Sequence, residues 1–181
     1  MKKVFQLKAL AVLVVALLFS TAASAQKVVA SPRDSVSGKV HGATISINYG
    51  SPSVKGRKIF GGLEPYGKPW RAGANQATSF VTDKDIMVEG KKLPAGKYTL
   101  FLTPGETEWK VAFNSVNGEW GIKKDAGDSR GYSANDDPSK DVLVVTVKPK
   151  KVDLTERLKY AVTASGFELI WENTAVPVSI K

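Results

Sequence analysis

The segment 50–73 combines glycine, basic and aromatic residues in a way that could bind an anionic or sugar-like ligand. It holds 6 of the 16 glycines and 3 of the 9 prolines of the 181-residue chain, with five basic residues against one acid. Glycine lets a backbone approach a ligand closely, arginine presents a planar fork to carboxylate or phosphate, and aromatic rings stack on sugars or cations. The predicted ligand contacts are Arg57, Lys58, Tyr66, Trp70, Arg71 and Asn75.

A structural role for the same segment is the alternative. Its aromatic residues could close one end of the fold, with the basic residues forming a solvated rim. A stretch of this length without a repeating pattern is functional, disordered or a misread element, and the apolar Ile59 and Phe60 argue against disorder. Residues 70–75 lead directly into a predicted strand near Ala77, which would hold Arg71 on a fixed backbone.

Nucleophilic catalysis would have to use His41, the only histidine in the chain. A Ser-His-Asp triad needs a histidine as its base, but no Gly-x-Ser-x-Gly motif accompanies this one. Glycoside hydrolysis would need two acids facing each other, and no pattern in the sequence pairs them. A hydrolase using His41, or a carboxylate near the 50–75 loop, therefore stays an alternative to ligand binding, with its catalytic residues unknown.

No metal and no cofactor are predicted. Transition-metal sites generally need two or more nitrogen or sulfur ligands, and the chain has one histidine and no cysteine. The acid-rich stretch 125–141 could offer oxygen atoms to calcium, although its spacing does not match an EF-hand loop. We expect an ordinary solvated loop there, and calcium binding stays open. Phosphate-loop and dinucleotide-binding motifs are both missing from the sequence.

Residues 1–25 have the three zones of a cleavable secretory signal peptide. Lysines at positions 2, 3 and 8 begin it, an apolar run of 11 residues follows over Ala9–Phe19, and Ala23-Ser24-Ala25 offers small residues for cleavage. A membrane-spanning helix needs about 20 apolar residues, so this run is too short to serve as an anchor. The sequence predicts export to the periplasm or outside the cell, with residues 26–181 as a single domain that has no membrane span.

Removal of the signal peptide changes both length and charge. Taking 25 residues from 181 leaves 156, enough for a domain with its own core, and taking three lysines lowers the formal net charge from +9 to +6. The lack of cysteine excludes disulfides, zinc–thiolate sites and lipid attachment behind the apolar run. An exported basic protein meets acidic glycans, lipid headgroups or outer-membrane surfaces, and nucleic acid is not an expected partner. The oligomeric state stays open.

Apolar residues alternate with polar ones through most of the chain after the signal peptide, which predicts β-strands. Ala43–Tyr49 places apolar side chains on one face, and the runs 97–103 and 109–113 are close enough to pair as a hairpin. Asp141–Lys148 is apolar on both faces, which predicts a central strand.

The remaining pattern completes an all-β fold. Residues 114–140 form a polar excursion with room for one short helix. Three further strands are predicted near the C-terminus, with turns at Ser165-Gly166 and Asn173-Thr174. Eight or nine short strands with frequent turns indicate an antiparallel β-sandwich, jelly-roll or immunoglobulin-like, with a barrel as the less favoured alternative.

Several motifs resemble the bacterial exported family called domain of unknown function 2911. Together they span residues 31–172. The motifs are Ser31-Pro32-Arg33, Ser51–Leu63, Pro65-Tyr66-Gly67, Trp70–Asn75, Thr82–Asp85 and Leu93–Leu100. The resemblance implies an exported protein of a kind common in Bacteroidetes-type bacteria, and it marks the 50–75 loop as the family signature. It supplies no catalytic residues.

Three hypotheses for the function follow. The first is a non-catalytic binding or envelope-associated module for an anionic or carbohydrate-like ligand. The second is the small periplasmic hydrolase described above. The third is a structural protein-interaction module with Tyr66 and Trp70 in the interface.

Overall fold

The protein is described by a computed structural model over residues 29–181, and the predicted signal peptide lies outside these residues. The described chain is almost entirely β-structure, which confirms the predicted fold class. A single turn of 3-10 helix spans Pro138–Lys140. The strands are β1 Arg33–Val40, β2 Ala43–Gly50, β3 Thr78–Thr82, β4 Ile86–Val88, β5 Lys91–Leu93, β6 Gly96–Thr103, β7 Trp109–Asn114, β8 Ile122–Lys124, β9 Tyr132–Ala134, β10 Asp141–Val147, β11 Lys150–Thr163 and β12 Gly166–Ser179.

The strands form one large antiparallel sheet and three hairpins. The large sheet has the order β1-β2-β3-β6-β7-β10, and β11 pairs with β12 in a long hairpin. Aromatic contacts join the sheet to this hairpin: the Tyr49 and Tyr160 rings lie 4.8 Å apart, and the Phe80 and Phe167 rings 5.5 Å apart. Buried residues of both layers belong to one hydrophobic core. The arrangement is sandwich-like.

Strand β2 shows how the sequence pattern produces this packing. Ile45, Ile47 and Tyr49 alternate with half-buried polar residues and lie in the core, as predicted. Side chains on a strand point to opposite faces in turn, so this alternation buries one face only. The predicted pairing of the runs 97–103 and 109–113 is confirmed by the β6–β7 hairpin.

Strand β10 lies at the edge of the large sheet, and the prediction of a central strand is wrong. Leu143 and Val145 point into the core, whereas Val142 and Val144 are exposed. Valine suits a strand on either face, so its presence on both faces did not indicate burial of both. The Lys91 ammonium donates to the Val144 carbonyl at 3.3 Å, which covers part of the edge with a charge.

The C-terminal region forms two long strands where three were predicted. Strand β12 continues through Asn173 and Thr174, so the predicted turn there is wrong. The pairing register shifts on both sides of the Thr155–Glu172 pair, and Glu172 adopts a φ of 54°. A bulge at this point absorbs the irregularity without ending the strand. Between residues 29 and 181, no helix is long and apolar enough to cross a bilayer.

Candidate functional site

The predicted ligand-binding loop connects β2 to β3 and is held against the core at several points. Trp70 is only 2% exposed, and its ring packs 5.8 Å from that of Trp171 and 5.9 Å from that of Phe60. Its indole N–H donates to the Gly73 carbonyl at 3.1 Å. Trp70 therefore offers no face to a ligand arriving from solvent, and for this residue the structure favours the structural alternative.

The other predicted residues lie at the surface in different settings. Arg57 and Lys58 are exposed, and Arg57 donates to the carbonyls of Ser53 at 2.6 Å and Val54 at 3.0 Å. Asn75 is exposed and donates to the Ser31 carbonyl at 3.2 Å. The six residues thus do not line one pocket. Arg57 and Arg71 act on a common buried carboxylate, described next, and Tyr66 lines a cleft elsewhere.

The loop also contains a buried carboxylate, that of Glu64, which lies among arginine side chains. It is 5% exposed and ends a tight turn in which its N–H donates to the Ile59 carbonyl at 2.9 Å. Arg130 approaches it from the segment between β8 and β9, with Nη1 3.4 Å from Oε2. We call Glu64, Arg71, Asp128 and Arg130 the Glu64 cluster.

Burial determines the protonation of Glu64. It raises the pKa of this carboxyl from 4.5 to about 7, against the opposing charges of Arg71, Arg130 and Arg57. Removing a carboxylate from water penalises its charged form, and nearby cations recover only part of that penalty. The Glu64 carboxyl is therefore close to half protonated at neutral pH.

Arg130 is already supplied with partners inside the cluster. Its Nε and Nη2 donate to the two carboxylate oxygens of Asp128 at 2.9 and 3.0 Å, and its guanidinium lies 5.0 Å from the centre of the Tyr132 ring. These bonds hold the pKa of Asp128 far below its usual range. A bidentate pair of this kind is both strong and directional. Asp128 and Arg130 therefore form a fixed ion pair beside Glu64.

Arg71 differs from Arg130 because its side chain has no hydrogen-bond partner among residues 29–181. Its Nε is buried and unbonded within residues 29–181. Burial lowers the pKa of Arg71, while the Glu64 carboxylate acts in the opposite direction. The stem of Arg71 packs on Gly121, where a Cβ would collide with the arginine Cδ. The structure thus holds a half-buried guanidinium in place without using its donors.

The backbone beside Arg71 is anchored by two buried hydroxyl groups. Ala72 adopts a φ of 56°, a conformation unusual for a residue with a side chain. Its carbonyl accepts hydrogen bonds from the Thr78 hydroxyl and from the Tyr160 hydroxyl, both at 2.8 Å. Burial raises the pKa of the Tyr160 phenol, so the phenol keeps the proton that it donates.

These two hydroxyls should be energetically coupled. Tyr160→Phe and Thr78→Val are each expected to lower the free energy of unfolding by about 1 kcal/mol, because the Ala72 carbonyl keeps one partner. The double variant should lose more than the sum, since the buried carbonyl then has none. Urea denaturation of all four proteins measures the coupling, and strictly additive losses would contradict it.

His41 lies far from this site. It occupies the exposed two-residue turn between β1 and β2, with a φ of 46°. The loop begins at the opposite end of the eight-residue strand β2, and such a strand is about 23 Å long. The hydrolase hypothesis therefore cannot combine His41 with the 50–75 loop.

Three acids of the 125–141 stretch accept hydrogen bonds from other parts of the protein, two of them within local turns. Asp125 accepts from the Gly127 N–H at 2.9 Å, Asp137 caps the short 3-10 helix through the Ser139 N–H at 3.0 Å, and Asp141 accepts from Asn114 at 2.8 Å. In the described part of the chain, no three His, Cys, Asp or Glu side chains come together as a metal site.

The fold and site together define an all-β protein with a partly buried charged cluster between its 50–75 loop and the β8–β9 segment. The chain belongs to the family described as a protein of unknown function, DUF2911, which matches residues 31–180. This match confirms the resemblance drawn from the sequence motifs. Comparison with curated proteins and with solved structures gave no match.

Proposed function

We propose that this protein is an exported, non-catalytic binding protein that takes an anionic ligand at Arg71. The proposal rests on the Arg71 side chain, which is only partly buried and whose guanidinium forms no hydrogen bond within residues 29–181. A buried donor without a partner costs free energy, and a carboxylate or phosphate group would supply the missing acceptor. The resemblance drawn from the sequence motifs marks the 50–75 loop, which contains Arg71, as the family signature, and this supports a role of this kind.

The charge of the surrounding site favours an anion. The guanidiniums of Arg57, Arg71 and Arg130 all act on Glu64, and Arg130 is also paired with Asp128. When Glu64 is protonated, the charges of Arg57 and Arg71 lose this carboxylate as a counter-charge. Glu64 is close to half protonated at neutral pH, because burial raises its pKa to about 7. An incoming anion would therefore meet positive charge that the protein does not itself neutralise, in a partly desolvated setting where such charges attract strongly.

Binding suits the site better than hydrolysis does. Catalysis by two carboxylates needs an acid and a base that both reach the substrate. Asp128 is held in its bidentate pair with Arg130, and Glu64 is buried. A role as a protein-interaction module is weakened in the same way, since Trp70 lies in the core.

Location and charge are consistent with this function. The predicted signal peptide would place the protein in the periplasm or outside the cell. The expected net charge of +6 after its removal would attract the acidic components of a bacterial envelope, namely glycans and lipid headgroups. We therefore place the protein among envelope-associated binding modules.

Titration of small anions tests the proposal. We expect inorganic phosphate or succinate to bind the purified protein in isothermal titration calorimetry, and Arg71→Gln to weaken that binding by about ten- to a hundredfold, as loss of a charged hydrogen bond requires. Lys58→Gln is the matched control, because Lys58 is an exposed cation of the same loop. Equal binding by wild type and Arg71→Gln would overturn the proposal, and so would absence of binding to every anion tested.

A further inference from the structure

A second cleft, with a volume of about 320 Å³, lies beside Tyr66. Four segments converge on it: the 50–75 loop, the β6–β7 turn with Glu106, the start of β11 with Lys150 and Lys151, and the middle of β12 with Asn173. No member of the Glu64 cluster lines this cleft. Any ligand of the cleft is therefore recognised by a different set of side chains.

Tyr66 supplies a fixed aromatic surface to the cleft. It is 41% exposed, which is unusual for a ring in a loop that buries its other aromatic residues. One edge of the ring lies against Gly61, where a Cβ would come within 2.6 Å of Cε2. The next residue is also held, because the Gly67 N–H donates to the Pro104 carbonyl at 2.8 Å. An exposed ring on a restrained backbone can stack on a sugar at little entropic cost.

The polar residues of the cleft have unused hydrogen-bonding capacity. Lys150, Lys151 and Glu106 are exposed, and none of them forms a salt bridge over residues 29–181. Asn173 donates to the Val152 carbonyl at 3.3 Å, and its side-chain oxygen accepts no bond from the described residues. Two cations against one acid give the cleft a net positive charge.

We propose that this cleft binds an acidic saccharide through a uronic acid residue. The pyranose ring stacks on Tyr66, and the carboxylate pairs with the ammonium groups of Lys150 and Lys151. Sugar hydroxyl groups bond to Asn173, Thr174 and Glu106, which also line the cleft. The stacking selects a ring, the polar groups select hydroxyls, and the lysines select the acidic form over the neutral one.

Paired titrations with tri-galacturonate and neutral galactotriose test this proposal. We expect the purified protein to prefer tri-galacturonate, and Tyr66→Ala to weaken that binding by about tenfold. The double variant Lys150→Met/Lys151→Met should bind both sugars equally, because the charge selection is removed. Both lysines are exposed, so their replacement should leave the fold intact. The double variant therefore keeps the test valid even where Tyr66→Ala disturbs the loop.

Crossed controls separate this cleft from the site at Arg71. Arg71→Gln should keep the preference for tri-galacturonate over galactotriose, and Tyr66→Ala should bind inorganic phosphate like wild type. A loss confined to one ligand therefore identifies which site has failed. The acidic-saccharide site is overturned if wild type binds the two sugars equally, if it binds neither, or if the double lysine variant retains the preference.

Discussion

Replacement of Trp70 by alanine is expected to lower the free energy of unfolding by about 3–5 kcal/mol, the usual cost of truncating a buried tryptophan. The side chain fills the space between Trp171 and Phe60 and is 2% exposed. Alanine would leave a cavity there and would also orphan the Gly73 carbonyl. Trp70→Phe should cost less, roughly 2 kcal/mol, because it keeps part of the packing and loses only the indole hydrogen bond and some volume.

Tyr66→Ala is the matched control for Trp70, because both aromatic residues belong to the same loop. Tyr66 is partly exposed, so its truncation should cost less than about 1 kcal/mol. Chemical denaturation followed by tryptophan fluorescence and circular dichroism would measure all three variants. Equal stability losses for Trp70→Ala and Tyr66→Ala would contradict the core role of Trp70. The sequence-based prediction that Trp70 contacts a ligand would then stand again.

The contrast between these two residues shows what the loop sequence could not reveal. Both are aromatic, and both stand among prolines, glycines and lysines, so local composition gives them the same description. Trp70 is buried because Trp171 on β12, far along the chain, stacks against it. Packing partners of that kind depend on the tertiary fold, and no local pattern identifies them.

Strands were predictable where the signal was local. The alternation in β2 and the close spacing of β6 and β7 led directly to observed elements. Strand β10 shows the limit, since Val142 and Val144 suit a strand without being buried. The continuation of β12 through Asn173 shows a second limit: turn-forming residues do not end a strand when a bulge and a long partner strand hold it.

The Glu64 cluster escaped prediction because two of its members lie outside the loop. Asp128 and Arg130 belong to a polar stretch without any period, whose composition predicts a solvated loop and leaves calcium binding open. The only local sign was that Glu64 is the single acid among the basic residues of its segment. That pattern is equally typical of an exposed ion pair, and only the fold shows that the carboxylate is buried.

Glu64 should make the protein less stable as the pH rises from 4.5 to 7. Its pKa is raised from 4.5 to about 7 in the folded state. Below pH 4.5 the folded and unfolded chains both carry the proton, so Glu64 has no effect. Between these values the unfolded chain releases the proton while the folded protein keeps it, and stability falls by about 3 kcal/mol in total. Above pH 7 both states are ionised and the loss is constant.

Glu64→Gln isolates this contribution, because glutamine has nearly the same size and does not titrate. Other groups titrate in both proteins and cancel in the comparison. Urea denaturation of wild type and variant at several pH values should show the wild type losing about 3 kcal/mol relative to Glu64→Gln between pH 4.5 and 7.5. A difference that does not change with pH would mean that Glu64 ionises in the folded protein as it does in the unfolded chain.

The same proton should control the proposed anion site. An ionised Glu64 competes with an incoming anion for Arg71 and Arg130, whereas a protonated Glu64 leaves their charge to the ligand. Phosphate titrates in this pH range, so succinate is the better probe for wild type and Glu64→Gln. Its affinity for wild type should fall as the pH rises through about 7, and its affinity for Glu64→Gln should change much less. Parallel pH profiles of succinate affinity for the two proteins would show that ionisation of Glu64 does not control anion binding. That result would stand even if ionisation of Glu64 did change the stability of the protein.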